Sequence, residues 1–403
     1  MVGSRWQQMR LLLILTGGVF GIINTEMGVV GIVPQIAAQF NITVPDAGWT
    51  VSIFALLVAI SAPILPLVCT RFPRRRMMIT AFSLIFCSNL IALLAPNFTI
   101  LLCARALGGI MHPVYVALAF TLAVAALPPE RSAQAISWVF LGVTAGMVLG
   151  VPGTSWLAVQ FSYEVAMLSF AVVNGLVLIG TYLWVPAVDA PATQLKDQLQ
   201  VLKRPVLRYA FFYMLFVNGA VFGFFSFMSD FLNQVSHVSF DYVALILLGY
   251  SLTNIIGNLV AGKIYLSHPQ RYALLLPLSL IAFYALLFYL GGTSVMACGL
   301  ILLLGILAGM VGVVGQQMIS KAAPEAPEFA NGLFLTAGNA GTMSGTALCG
   351  LFITLDNTQA ALWGSFIYLA LGLLCAARFA YLRHHQTRFD VKDVNDVSLS
   401  GAL

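Results

Sequence analysis

Glu26 and Arg105 stand inside long apolar runs, where an ionisable side chain is costly and by default functional. Glu26 lies in GIINTEMGVVGIVP and Arg105 in LLCARALGGIMHPVY. Read as helices crossing a bilayer in opposite directions, they place Glu26 roughly 20 Å from one face and Arg105 about 10 Å from the other, at 1.5 Å per residue. In an apolar core about 30 Å thick these depths nearly coincide. A carboxylate and a guanidinium at one depth can pair and lower the cost of burial. The pair can also handle protons. The proton affinity of a carboxyl depends on whether a cation stands beside it, so moving Arg105, or letting a solute compete for it, would transfer a proton. The bland alternative is a static ion pair that fixes helix packing. His112 follows Arg105 by seven residues, on the same helix face two turns deeper. It would extend a proton path or bond a solute, or else sit neutral on a backbone carbonyl. Tyr115, one turn further, is expected to face the same cavity.

The elements that must position these residues are set by composition. The chain of 403 residues is 60% hydrophobic and 8% charged, with mean hydropathy +0.95. Soluble domains carry roughly 25% charged residues, so an all-α polytopic membrane protein is predicted. Twelve spans fit, at about 11–34, 46–69, 77–95, 98–122, 134–157, 165–186, 207–232, 241–263, 271–291, 295–319, 329–353 and 360–382. The first run, Leu11 to Pro34, is of full span length without a small-residue cleavage site, which argues against a signal peptide.

The basic residues orient the spans. With a cytoplasmic N-terminus, every Lys and Arg except Arg105 falls at or near the cytoplasmic face: Arg5, Arg10, Arg71, Arg74, Arg75, Arg76, Arg131, Lys196, Lys203, Arg204, Arg208, Lys263, Arg271, Lys321, Arg378, Arg383, Arg388 and Lys392. Both termini are then cytoplasmic and the protein belongs in a cytoplasmic (inner) membrane. The net charge of +5 reflects this topology and not nucleic-acid binding.

The chain repeats itself. An offset of 195 residues maps Arg76 onto Arg271, Pro129 onto Pro324, Glu130 onto Glu325, Ala135 onto Ala330, Gly146 onto Gly341 and Gly150 onto Gly345. Two parallel halves imply a pseudo-two-fold axis along the membrane normal and a site between them near the midplane. The expected division is a six-helix bundle over 1–186, a cytoplasmic linker over 187–206, a second bundle over 207–389 and a polar tail over 390–403. Polarity past Arg383 predicts a disordered end.

In the fifth span Gly142, Gly146 and Gly150 recur every four residues before Pro152 and Gly153. Such a stripe admits a neighbouring helix closely, and the proline can bend the span. The loop CTRFPRRRMM is either topological charge alone or a latch whose arginines bond helix ends or carboxylates in one conformation only. Polar residues of the second half include Asn218, Asn254, Asn258, Gln316, Gln317 and Asn339, and aromatics including Phe222 crowd the seventh span. The candidate solute-binding residues are Asn24, Tyr115, Asn218, Phe222, Asn254, Gln316 and Asn339. The six cysteines, all in or beside apolar runs without metal-ligand spacing, read as packing residues. No P-loop, nucleophile elbow or metal cluster is present, so no enzyme, no cofactor and no metal site is expected.

These features together resemble the major facilitator superfamily, nearest to its bacterial twelve-span proton-dependent drug and sugar exporters and the arabinose/sugar efflux permease group. INTEMGVVGIVPQIAAQF looks like that group's first helix, LLCARALGGIMHPVY its fourth-helix motif, and ERSAQAISWVFLGVTAGMVLGVPG its antiporter signature. IGNLVAGKI, around Lys263, looks like the second-half counterpart of the loop between spans two and three. That loop usually reads G-x-L-A-D-R-x-G-R-R. Here Pro66, Thr70 and Pro73 replace its Gly, Asp and second Gly, while Arg71, Arg74, Arg75 and Arg76 remain. Ser162-Tyr163-Glu164 stands where the group often has Gly-Trp-Arg.

The resemblance implies a proton-coupled exporter working by alternating access, with Glu26, Arg105 and His112 in coupling. Its partners would be protons, the bilayer and a small molecule: a sugar, a nucleoside-like metabolite or a drug, the last implying multidrug resistance. Because one chain holds both halves, a functional monomer is expected. The competing readings are an uncoupled facilitator, with Glu26 and Arg105 purely structural, and a non-transporting membrane sensor.

Overall fold

The structure is a computed structural model that describes residues 5–69, 72–128, 132–186, 204–264, 269–324 and 327–400. Those residues form helices joined by short turns. In chain order these are α1 (Arg5–Gly28), α2 (Val33–Phe40), α3 (Val44–Ser61), α4 (Leu65–Cys69), α5 (Arg74–Leu93), α6 (Phe98–Ala126), α7 (Ser132–Gln160) and α8 (Tyr163–Trp184). The second half holds α9 (Pro205–Phe225), α10 (Met228–Gln234), α11 (Phe240–Ile264), α12 (Pro269–Leu290), α13 (Ser294–Ala322), α14 (Pro327–Leu355) and α15 (Ala361–Ser400). Of the expected linker over 187–206, residues 187–203 lie outside the described set, and Pro205 already opens α9.

Eleven helical stretches among the described residues are long and apolar enough to cross a membrane. The expected twelfth is α14, whose Gly, Ser, Thr and Asn residues dilute its hydropathy. It can afford them because most of its length is packed between α9 and α3. The first span is longer than expected: α1 passes through a 3-10 turn, Val29–Ile32, into α2. The seventh ends at Phe225, where the chain turns into α10. The last helix continues to Ser400, against the expected disorder. No Gly or Pro interrupts residues 373–400, so nothing breaks its i→i−4 ladder.

We call the end bearing Arg74, Arg75, Arg76 and Arg204 the basic end, and its opposite the far end. In the first half, the helices that start at the far end are capped by side chains. Thr43 accepts from Asp46 N at 3.2 Å, Asn97 from Ile100 N at 3.0 Å and Ser162 from Val165 N at 3.3 Å. Many large apolar side chains point outward, among them Val172, Leu176, Ile179 and Leu183 in one stripe along α8. Such a surface suits lipid. Cys87 and Cys103 are exposed too, against the expected packing role, whereas Cys69 and Cys349 are buried.

The sequence repeat is visible as matched helix pairs. In the first half α7 lies on α1, and a Cβ on Gly142 would collide with the Thr16 carbonyl, one on Gly146 with Ile23 at 2.7 Å. In the second half α14 lies on α9, and Gly341 and Gly345 meet the carbonyls of Leu215 and Gly219 the same way. The halves meet along α3 and α14: Gly350 over Pro45 at the far end, Ser52 Oγ donating to Met343 O at 3.3 Å midway, and Gly332 over Pro63 at the basic end. One apolar core joins the far end of the first half to the whole of the second. The basic end of the first half keeps a separate core of its own, containing Leu15, Phe82 and Tyr115.

Candidate functional site

Arg105 is 3% exposed and Glu26 8%, both deep in the first half. They share a depth, but no direct ion pair between them is among the contacts of the described residues. Arg105 instead binds backbone: Nη1 donates to Thr25 O at 2.8 Å, Nη2 to Glu26 O at 3.4 Å and Nε to Thr50 O at 3.2 Å. The local reason is the 3-10 turn. The last carbonyls of an α-helix lack regular partners, and α1 ends at Gly28. Arg105 of α6 fills two of those vacancies and ties α3 to the same point. Its guanidinium also lies over the Phe54 ring at 4.5 Å.

The Glu26 carboxylate turns to His112, with Oε2 3.3 Å from Nδ1. That histidine is 6% exposed, and its Nδ1 has no properly angled hydrogen bond among the described residues. The Phe54 ring stands 6.0 Å from the His112 ring, so it separates histidine from arginine.

Beneath this pair lies a polar brace that periodicity did not reveal. Asn174 Nδ2 of α8 donates to Thr25 Oγ1 at 2.8 Å and to Phe170 O at 2.8 Å, and Asn89 Nδ2 of α5 reaches Thr25 Oγ1 at 3.4 Å. Thr25 therefore links α1 to α5 and α8 through its hydroxyl and to α6 through its carbonyl. The signal available was an asparagine isolated in each of two apolar runs.

Few of the candidate solute-binding residues converge. Phe222 and Asn254 line a pocket between the halves, together with Met27, Thr144, Tyr250 and Asn258. Tyr115 does not face a cavity. It is fully buried over Gly18, edge-on to Phe82 at 4.3 Å between ring centres. Its helix face serves the core of the first half, a rotation the one-turn spacing could not decide. Asn218 bonds Gly338 O at 2.8 Å and Thr342 Oγ1 at 3.1 Å, joining α9 to α14. Asn339 bonds Leu335 O of its own helix, Asn24 sits against Gly150, and Gln316 is exposed on α13. The pocket is about 50 Å³ in this conformation, so a sugar-sized solute would enter it only when the halves part.

Of the loop arginines, Arg75 Nη2 donates to Tyr182 O at 2.7 Å, closing the end of α8 within the first half. Arg74 is half-buried and Arg76 exposed. Arg71 and the Lys263 side chain lie outside the described residues. On α7, Pro152 lies within the helix, and a Cβ on Gly153 would meet nothing within 4 Å. Among the described residues no group of His, Cys, Asp or Glu could hold a metal.

A polytopic helical protein of two repeated halves, with ionisable side chains buried in one bundle and a pocket between the halves, is a membrane transporter in architecture. The chain belongs to the Major Facilitator Superfamily, whose profile matches residues 14–326 and 231–395. It is 31% identical to the uncharacterised MFS-type transporter YtbD of Bacillus subtilis (strain 168) over 349 residues, 84% of this chain and 87% of that one. It is 25% identical to a probable sugar efflux transporter of Helicobacter pylori (strain ATCC 700392 / 26695) over 371 residues, 90% and 93% of the two chains. The fold is similar to that of a bacterial homologue of the human lysosomal transporter Spinster, with TM-score 0.73 at 18% identity, covering 94% of this chain and 97% of that one. The protein is thus a multi-pass membrane transporter of that family and not an enzyme.

Proposed function

We propose that the chain exports a small organic solute in exchange for protons, with Glu26 as the proton-carrying group. The observation that carries this reading is the Glu26–His112 contact at 3.3 Å, a carboxyl and an imidazole facing each other inside the bundle. Arg105 supports it by a role other than pairing. It holds the carbonyls of Thr25 and Glu26, so any shift of α6 relative to α1 moves the carboxyl. The two halves, 1–186 and 207–389, rock about the midplane, and the pocket between them opens to each side in turn. The similarity to a relative named as a probable sugar efflux transporter favours export of a polar organic molecule. The basic end is assigned to the cytoplasm by the positive-inside rule, which puts both termini there and the protein in the inner membrane. One chain is the working unit.

One observation favours a second reading, an uncoupled facilitator. The donors of Arg105 all go to backbone carbonyls, which a purely structural arginine would also do.

The deciding experiment is pH-sensitive dye fluorescence inside proteoliposomes with wild type beside Glu26→Gln. Solute-triggered proton movement in wild type alone supports exchange through Glu26. Solute crossing without proton movement supports the facilitator.

A further inference from the structure

Polar side chains inside a bilayer normally find partners, because an unsatisfied amide there costs several kcal/mol. Four amides of this bundle do. Asn89, Asn174, Asn218 and Asn339 each donate to a named hydroxyl or carbonyl. Half-buried Asn254 and exposed Asn258 of α11 are left open to an incoming partner. Neither side chain bonds any described residue, and both line the pocket between the halves. They stand four residues apart, so about 6 Å of helix rise separates them on one face.

The rest of the lining completes a site. Ser251 lies one turn before Asn254, its hydroxyl donating to Leu247 O at 2.9 Å, which leaves its lone pairs available. Tyr250 stacks on Phe225 with ring centres 4.9 Å apart and planes at 20°, and Phe222 meets Phe225 edge-on at 5.9 Å. Exposure rises along α11 from buried Tyr250 and Ser251, through half-buried Asn254, to exposed Asn258. The pocket therefore has an aromatic floor and a mouth toward the basic end. Across it stands Thr144 of α7. Its lining carries no charged side chain. Met27 faces it, whereas the neighbouring Glu26 turns away to His112.

We propose that Ser251, Asn254 and Asn258 form the recognition strip for an uncharged, hydrogen-bonding solute with one apolar ring face, and that this solute never touches Glu26. The ring lies on the Tyr250–Phe225 stack while its polar groups exchange donors and acceptors with the two amides. A charged solute is rejected, since burying an ion with no counter-charge costs far more than an amide returns. Coupling to the proton then runs through α1, whose adjacent residues Met27 and Glu26 face the two sites. This deepens the exporter reading above and rests on it, but it is tested without a proton gradient.

The test places a cysteine at Thr144 (Thr144→Cys) in a background freed of the six native cysteines and measures protection from a small uncharged maleimide. The probes are methyl glucoside and uridine, then glucosamine and tetraethylammonium, then gluconate. The expected result is protection by an uncharged probe only. Asn254→Ala should weaken that protection about tenfold, the loss of one good hydrogen bond. Glu26→Gln should leave it in place while stopping proton movement. Protection by a charged probe that equals or exceeds the uncharged ones overturns the proposal. So does protection indifferent to both Asn254→Ala and Asn258→Ala, and so does protection by none of the five. Loss of protection in Glu26→Gln would place the carboxyl in the solute site and overturn the separation. If the proposal fails while proton movement still depends on Glu26, the exporter reading stands. If only proton movement fails, the solute site stands.

Discussion

Glu26 Oε2 faces His112 Nδ1 at 3.3 Å, while the guanidinium of Arg105 holds the carbonyl of Glu26 at 3.4 Å. The carboxyl and its backbone are thus gripped by two residues of one helix, seven positions apart. A rotation or slide of α6 that moves Arg105 must also move His112. The two contacts therefore change together, which is what a group that exchanges its proton between two conformations requires.

His112 should shape the pH response without being needed for the fold. His112→Asn keeps a polar group of smaller size and removes the titrating imidazole. The expected outcome is a proton-driven transport rate whose dependence on pH differs in shape from wild type, with unfolding temperature in detergent little changed. Combined with Glu26→Gln, it should add no further loss, since residues that act as one unit are not additive. An unaltered pH profile would confine His112 to packing against Phe54.

Arg105 should tolerate no replacement. Lysine keeps the charge but cannot fork to Thr25 O, Glu26 O and Thr50 O at once. Arg105→Lys should cost about 3 kcal/mol of stability, from carbonyls left without charge-assisted bonds. Arg105→Ala should impair both folding and transport. Thermal unfolding in detergent checks the first, and full activity in either variant would remove Arg105 from the mechanism.

The polar brace predicts a milder effect of a distinct kind. Asn174→Leu removes the donor to Thr25 Oγ1 but leaves the Arg105 bond to Thr25 O intact. Stability should fall by about 1–2 kcal/mol. Transport should keep its apparent affinity for solute and lose rate, since the brace touches α1 and not the pocket. A changed affinity with unchanged rate would contradict this placement.

Depth along the membrane normal was legible in the sequence because charge and hydropathy report on one dimension. Glu26 and Arg105 come out level for that reason, and the glycine pairs of the two halves fall on equivalent helices. Rotation about each helix axis was not legible. Tyr115 shares a face with His112 by spacing, yet a small turn of α6 sends its ring into the core against Phe82. The same freedom decides that Asn218 bonds α14 while Asn254 reaches the pocket. The pairing of Glu26 with His112 was hidden for another reason. The break of α1 at Val29 creates carbonyl acceptors that outcompete the carboxylate for Arg105, and hydropathy carries no trace of a 3-10 turn.

The fifth-span motif mixes two roles, and its glycines can be separated by substitution. Gly142 and Gly146 lie on α1, where an added methyl meets the Thr16 carbonyl or Ile23. Gly142→Ala and Gly146→Ala should each destabilise by about 1–3 kcal/mol, the cost of overpacking. Gly341→Ala, at the equivalent contact on Leu215 O, should do the same in the second half. Gly153 has no neighbour within 4 Å of an added Cβ, so packing gives it no reason to be glycine. Gly153→Ala should leave stability unchanged or raise it by about 0.5–1 kcal/mol, through a stiffer helix. If transport nonetheless falls while unfolding temperature holds, Gly153 beside Pro152 serves the bending of α7 during the cycle. Unimpaired transport would reduce the motif to the α1 contact, and the coupling step would have to lie entirely in α1 and α6.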